Sequence, residues 1–159
     1  MLTTFRTDTA LGYSQAVRAG NVLFVSGQVA VDERGQVVGG GDIRAHVDQV
    51  FKNLRAVVEA GGSRLDLVSK LTFFTTSLDY LPAIREARRQ MFGAVGAYPA
   101  STLVEISGLA RPEYLVEIEA TAVIADATAP AGRSRSRVRR RVSARPAKRA
   151  RSAARTRRR

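Results

Sequence analysis

The sequence predicts an α+β domain, a mixed sheet with two helices laid on one of its faces. Three observations predict it. Two stretches near the end of the folded part, Ser101 to Ile106 and Leu115 to Ile124, alternate β-branched or apolar residues with polar ones, the period of strands with one buried face. Two earlier stretches carry apolar residues at helical spacing. The order strands, helix, strand, helix, strands then supplies enough helix to cover one side of one sheet.

Charge divides the chain. Of 26 Lys and Arg, 14 lie beyond residue 130, where there is no acid; residues 1–130 keep 12 cations against 14 acids, a net of −2. The formal +12 therefore belongs to the C-terminal segment. Residues 1–127 read as one domain of ordinary size, able to bury a core. Residues 128–159 have almost no large apolar side chains and one sign of charge, so they read as a disordered Arg-rich tail. With no cysteine and the single His46, neither a disulfide framework nor a zinc cluster is expected, and no metal site is assigned. No stretch has signal-peptide character or approaches the ~20 apolar residues of a membrane span, which makes the cytoplasm the default compartment and a membrane partner unexpected.

In chain order, Leu2 to Arg6 reads as a short strand. Ala16-Val17-Arg18 and the apolar run Asn21 to Val29 form a hairpin about Gly20-Asn21. Asp42 is a good N-cap for a helix whose stripe is Ile43, Val47, Val50, Phe51, Leu54, Val57 and Val58, and Gly61-Gly62 ends it. His46, at the edge of that stripe, reads as a surface or half-buried residue. Leu65 to Thr76 reads as a strand. Asp79 is the expected cap of a second helix with Pro82 in its first turn and Leu81, Ile84, Met91 and Phe92 as apolar positions. Tyr98-Pro99-Ala100-Ser101 then turns into the last strands. Their polar face, read as Glu105, Glu117, Glu119 and Thr121 with Leu103, Leu115 and Val123 among them, suits partial burial against another subunit.

Five segments in register carry a resemblance. They are Gly12-Tyr13-Ser14-Gln15-Ala16-Val17, Asn21-Val22-Leu23-Phe24-Val25-Ser26-Gly27-Gln28, Asn53 to Gly62, Tyr98-Pro99-Ala100-Ser101-Thr102-Leu103-Val104-Glu105, and Val116-Glu117-Ile118-Glu119-Ala120. Over residues 8–125 the chain resembles the RidA family, the YjgF-like enamine/imine deaminases. The resemblance implies a chorismate-mutase-like fold with a six-stranded sheet, assembled as a trimeric barrel with three clefts between subunits. It also implies hydrolysis of 2-enamines and 2-imines to 2-keto acids and ammonia, without metal or cofactor.

Carried over by position, the water-orienting glutamate falls on Glu117 and the enclosing tyrosine on Tyr13, and Gly27 lines the cleft with its backbone. Arg85 and Phe92, on the second helix beside the cleft, complete the candidate substrate contacts. The carboxylate-gripping arginine of active members falls on Ser101, so the resemblance implies an arginine-less variant that keeps the cleft but not the usual imine-deaminase reaction. Guanidinium holds a carboxylate with two charge-assisted bonds of roughly 1.5–3 kcal/mol each, where a neutral bond contributes about 0.5–1.5. A deficit of about 2–3 kcal/mol corresponds to roughly 30- to 150-fold in binding. Arg85, Arg88, Arg89 and Arg111 are the cations that could stand in. The other reading is a metabolite-binding or chaperone-like module without turnover. Its tail, through Arg139, Arg140, Arg141, Arg157, Arg158 and Arg159, would bind nucleic acid without sequence preference.

Overall fold

The computed structural model describes residues 2–8, 10 and 12–125. The basic tail, with Arg139 to Arg141 and Arg157 to Arg159, lies outside the described residues. Six strands form one sheet: β1 (Leu2–Asp8), β2 (Tyr13–Ala19), β3 (Val22–Gln28), β4 (Val68–Thr75), β5 (Ala100–Glu105) and β6 (Val116–Val123), in the spatial order β1-β2-β3-β6-β4-β5. All neighbours are antiparallel except β4 and β5, which run parallel with α2 in the crossover. Helices α1 (Ile43–Ala60) and α2 (Leu81–Gly93) cover one face. This is the α+β architecture that the order of elements predicts. Among the described residues no helix is long and apolar enough to cross a membrane.

The buried face of the sheet is the set of alternate residues that meets the helices. Leu23, Val25, Leu71, Phe73, Val116, Ile118, Ala120 and Ala122 are buried there against Val47, Val50, Phe51, Leu54 and Val58 of α1. Phe51 sits edge-on to both Phe73 and Phe92, with ring centroids 6.1 and 6.5 Å apart. Each such pair contributes about 0.5–1.5 kcal/mol beyond its buried area. Gly61 lets the end of α1 lie on Leu23: a Cβ there would stand 2.5 Å from a Leu23 methyl. The positive φ that ends the helix belongs to Gly62 (+82°).

Local chemistry places several boundaries differently from the sequence reading. Asp42 caps α1 as expected, its Oδ1 accepting from the N–H groups of Arg44 (2.9 Å) and Ala45 (3.3 Å). Leu65–Leu67 is a 3₁₀ turn and β4 begins at Val68. The cap near the second helix is Ser77, whose Oγ accepts from the Asp79 N–H at 3.1 Å; Asp79 itself lies inside a 3₁₀ turn, Leu78–Tyr80, that leads into α2. Asn53 donates to the carbonyls of Val29 (2.9 Å) and Val31 (2.8 Å) and so ties α1 to the chain leaving β3.

His46 departs most from its expected surface position. It has no exposed surface, and its Nε2 accepts from the Leu115 backbone N–H at 3.1 Å, joining α1 to the start of β6. That bond requires the neutral ring with its proton on Nδ1. Nδ1 faces the Val38 backbone but has no partner at hydrogen-bond distance. Burial, the larger effect, holds the pKa below the ordinary histidine value, and the Val38 backbone opposes it. The stability that follows is complete above about pH 6.5, where neither folded nor unfolded His46 carries a proton. Below that pH the unfolded chain gains a proton that the folded chain resists, so stability falls toward the lower folded pKa, by at most about 1.4 kcal/mol per pH unit. Urea unfolding between pH 7.5 and 5.5 should show this loss, and His46→Gln should flatten it while lowering stability at pH 7.5. An unchanged slope in the variant would remove His46 as the cause.

Candidate functional site

Register sorts the residues singled out in the sequence onto the two sheet faces. On the face without helices, Glu117 of β6 lies beside Phe74 of β4 and Val104 of β5, and Glu119 beside Thr72 and Thr102. On the helix face the rows are Ile118-Phe73-Leu103 and Ala120-Leu71-Ser101. Glu105, paired with Thr75, and Leu103 therefore belong to the helix side and not to the polar face assigned from alternation. The parallel pairing of β4 and β5 decides this, because it aligns Phe73 with Leu103. Within one protomer Ser101 and Glu117 consequently stand on opposite faces.

Glu117 is half-buried and packed over Gly27, where β3 shifts register against β6 between Val25 and Gln28. A Cβ on Gly27 would lie 1.7 Å from Glu117 Oε1 and 2.5 Å from its Cδ, so glycine is what leaves room for the carboxyl group. Burial first, and the neighbouring Glu119 carboxylate second, push the Glu117 carboxyl above the usual range. Among the described residues no hydrogen bond to a protein donor offsets these effects. A carboxylate so placed is a stronger base than an ordinary glutamate, suited to taking and returning a proton.

Tyr13, at the start of β2, is 43% exposed, and its hydroxyl accepts from Gln15 Nε2 at 3.3 Å. Gln15 Oε1 in turn accepts from buried Gln28 Nε2 at 2.8 Å. A hydrogen-bonded chain thus links Tyr13 to the residue after Gly27. On the same sheet face a shallow cavity of about 260 Å³ is lined by Val17, Phe24, Ser26, Lys70, Thr72 and Glu119, among others.

At the β5 edge, Ser101 is exposed and its Oγ accepts from Arg88 Nη1 at 2.8 Å. The Arg88 guanidinium also lies 5.8 Å from the centre of the Phe73 ring. Arg85, the helix cation named from the sequence, is exposed and has no such contact with Ser101. Helical spacing carried a signal for Arg88: it falls four residues after Ile84 and four before Phe92, on the buried stripe, whereas Arg85 is one position off it. Phe92 has no exposed surface and packs on Phe51, so in this protomer it supports α2. Arg111 is drawn away to Tyr114 and Glu113. Among the described residues no three His, Asp or Glu gather into a group able to hold a metal ion.

Comparison with known proteins agrees with this fold. The family model described as Endoribonuclease L-PSP matches residues 3–124. A RutC family protein of Pyrococcus horikoshii is 37% identical over 110 residues, which is 69% of this chain and 85% of that protein. The 2-iminobutanoate/2-iminopropanoate deaminase of Dermatophagoides farinae is 36% identical over 112 residues, 70% of this chain and 85% of that one. Among solved structures, the Rid-family protein YyfA of Yersinia pestis superposes with a TM-score of 0.72 at 30% identity, covering 78% of this chain and all of that one. Matched over nearly all of the described residues in sequence and fold, the chain belongs to the Endoribonuclease L-PSP family, that is, the YjgF/RidA family.

Proposed function

We propose that this protein binds small 2-oxo and 2-imino carboxylates in clefts between the subunits of a homotrimer and hydrolyses the imines without a cofactor. The observation that carries the reading is the Glu117 carboxyl, seated over Gly27 with its pKa raised by burial and Glu119. Similarity to the Dermatophagoides deaminase supports the substrate class. The assembly is supported by the uncovered sheet face, where Phe24, Val104 and Val123 remain 51, 40 and 38% exposed beside half-buried polar groups. Since Ser101 and Glu117 occupy opposite faces of one sheet, they meet one small molecule only if the β5 edge of one copy lies against the Glu117 face of another.

The chemistry needs one group that moves a proton twice. Glu117 takes a proton from water as the oxygen bonds to the carbon of the protonated imine, and the C=N π pair goes to the nitrogen, which becomes a neutral amine. Glu117 then returns its proton to the amine of the carbinolamine. The C–N bond breaks as the Glu117 carboxylate takes the hydroxyl proton, the hydroxyl oxygen becomes the carbonyl oxygen, and a 2-oxo acid leaves with ammonia, which takes that proton from Glu117 to become ammonium. Tyr13, through Gln15 and Gln28, closes the Gly27 side of the site.

The test is ammonia release from freshly generated 2-iminobutanoate, with light scattering on the same sample. Turnover by a trimer is expected, with an acid limb in kcat/KM above that of an ordinary glutamate, because Glu117 must lose its proton to act. Glu117→Gln should lower kcat by about 10²- to 10⁴-fold, the usual range for a positioned acid–base group. Its unfolding midpoint should stay unchanged or rise, since an amide avoids the cost of a half-buried charge. A Glu117→Gln variant with wild-type turnover would rule out the mechanism, and a monomeric mass would rule out the cleft.

A further inference from the structure

On α2, Pro82, Arg85, Arg88 and Arg89 line a cleft of about 490 Å³. These guanidinium groups are not equivalent. Arg89 is paired with Glu86, whereas neither Arg85 nor Arg88 has a carboxylate at ion-pair distance among the described residues. Arg85 is exposed without a fixed partner. Arg88 is half-buried and held at two points, by the Ser101 hydroxyl at 2.8 Å and by the Phe73 ring at 5.8 Å.

Those two contacts use little of what a guanidinium can do. Five N–H donors sit on its planar frame, and Ser101 occupies one. The Phe73 ring, 5.8 Å from the guanidinium carbon, occupies none of the remaining N–H donors. An arginine that is unpaired yet fixed in orientation has already lost much of the rotamer freedom that carboxylate binding would otherwise cost. The Ser101 hydroxyl accepts from Arg88 and keeps its own O–H free to donate. A carboxylate placed against the pair can therefore receive bonds from the guanidinium edge and from the hydroxyl.

We infer that Arg88 holds the substrate carboxylate, reaching from α2 to the place where a side chain from β5 would otherwise do so, with Ser101 as its positioning partner and a second, neutral donor. The ligand class is a small 2-oxo or 2-imino acid. The inference rests on the proposed reading of the cleft at the β5 edge, and it makes the serine at 101 part of a working anion site.

The experiment is calorimetric titration of the full chain in about 0.15 M salt with 2-oxobutanoate and with its uncharged methyl ester. The tail is present in every sample, so its charge cancels in comparisons. The wild type should bind the acid more tightly than the ester. Arg88→Gln should weaken the acid by about 10- to 150-fold, the range for a lost charge-assisted contact, and leave the ester unchanged. Arg88→Lys should fall between, keeping the charge without the fork. An intact ester response shows that the variant site is folded. Equal acid affinity in wild type and Arg88→Gln overturns the role of Arg88 and leaves the cleft standing. A wild type that binds neither compound overturns the cleft and Arg88 with it.

Discussion

Gly27→Ala is expected to fold normally and to lose at least about 10²-fold in imine turnover, as if Glu117 had been removed. The backbone at Gly27 is not in the left-handed region, so alanine is conformationally acceptable there. Its methyl, however, would fall 1.7 Å from Glu117 Oε1 and 2.9 Å from its Cγ. The carboxyl is the movable partner: it lies at the end of a side chain, whereas the backbone of β3 is held by β2 and β6. The carboxylate therefore swings away and the proton-transfer geometry goes with it. Stability should change little, because the loss of unfolded-state freedom on Gly→Ala, about 0.4–1 kcal/mol, opposes the cost of the new rotamer. The diagnostic is coupling. In a Glu117→Ala background, Gly27→Ala should cost almost nothing further in turnover, since the group it displaces is gone. Losses that multiply in the double variant would mean that Gly27 acts through something other than Glu117.

The second large effect concerns where the guanidinium stands. Ser101→Arg by itself should not raise affinity for 2-oxobutanoate. The longer side chain would extend into the space that Arg88 already fills, 2.8 Å from Ser101 Oγ, and two like charges about 4 Å apart repel by roughly 1 kcal/mol even in water-like surroundings. Moving the group is a different matter. Arg88→Ser combined with Ser101→Arg should bind the acid within a few-fold of wild type, while Arg88→Ser alone loses about 10- to 150-fold. Titration of the four proteins with one ligand decides it. A tenfold gain in the Ser101→Arg single variant would show that the position had been lacking a cation all along.

The same pair shows where reading a sequence stops. Ser101 is legible in the sequence as the residue that follows the Tyr98-Pro99-Ala100 turn. Its partner is not visible there, because Arg88 and Ser101 are thirteen positions apart and joined by no period. Helical spacing places Arg88 on the stripe of Ile84 and Phe92, but only the parallel register of β4 and β5 brings Ser101 beneath it. His46 is similar. Its place on the edge of an apolar stripe was legible, and its burial was not, because the Leu115 N–H that it accepts from arrives from 69 residues away.

Local patterns alone determined the element order, the N-cap at Asp42, the hairpin at Gly20-Asn21, the apolar stripe of α1 and the family. Each of these depends on interactions within a few residues or on motifs that keep their spacing. Tertiary structure alone decided the rest. It set Glu117 over Gly27, through the shifted register of β3 against β6, and it put Ser101 and Glu117 on opposite faces of one sheet. Period-2 alternation shows that a strand has two faces, but strand pairing decides which face meets the helices. A slip of one residue would exchange every side chain between the core and the uncovered face.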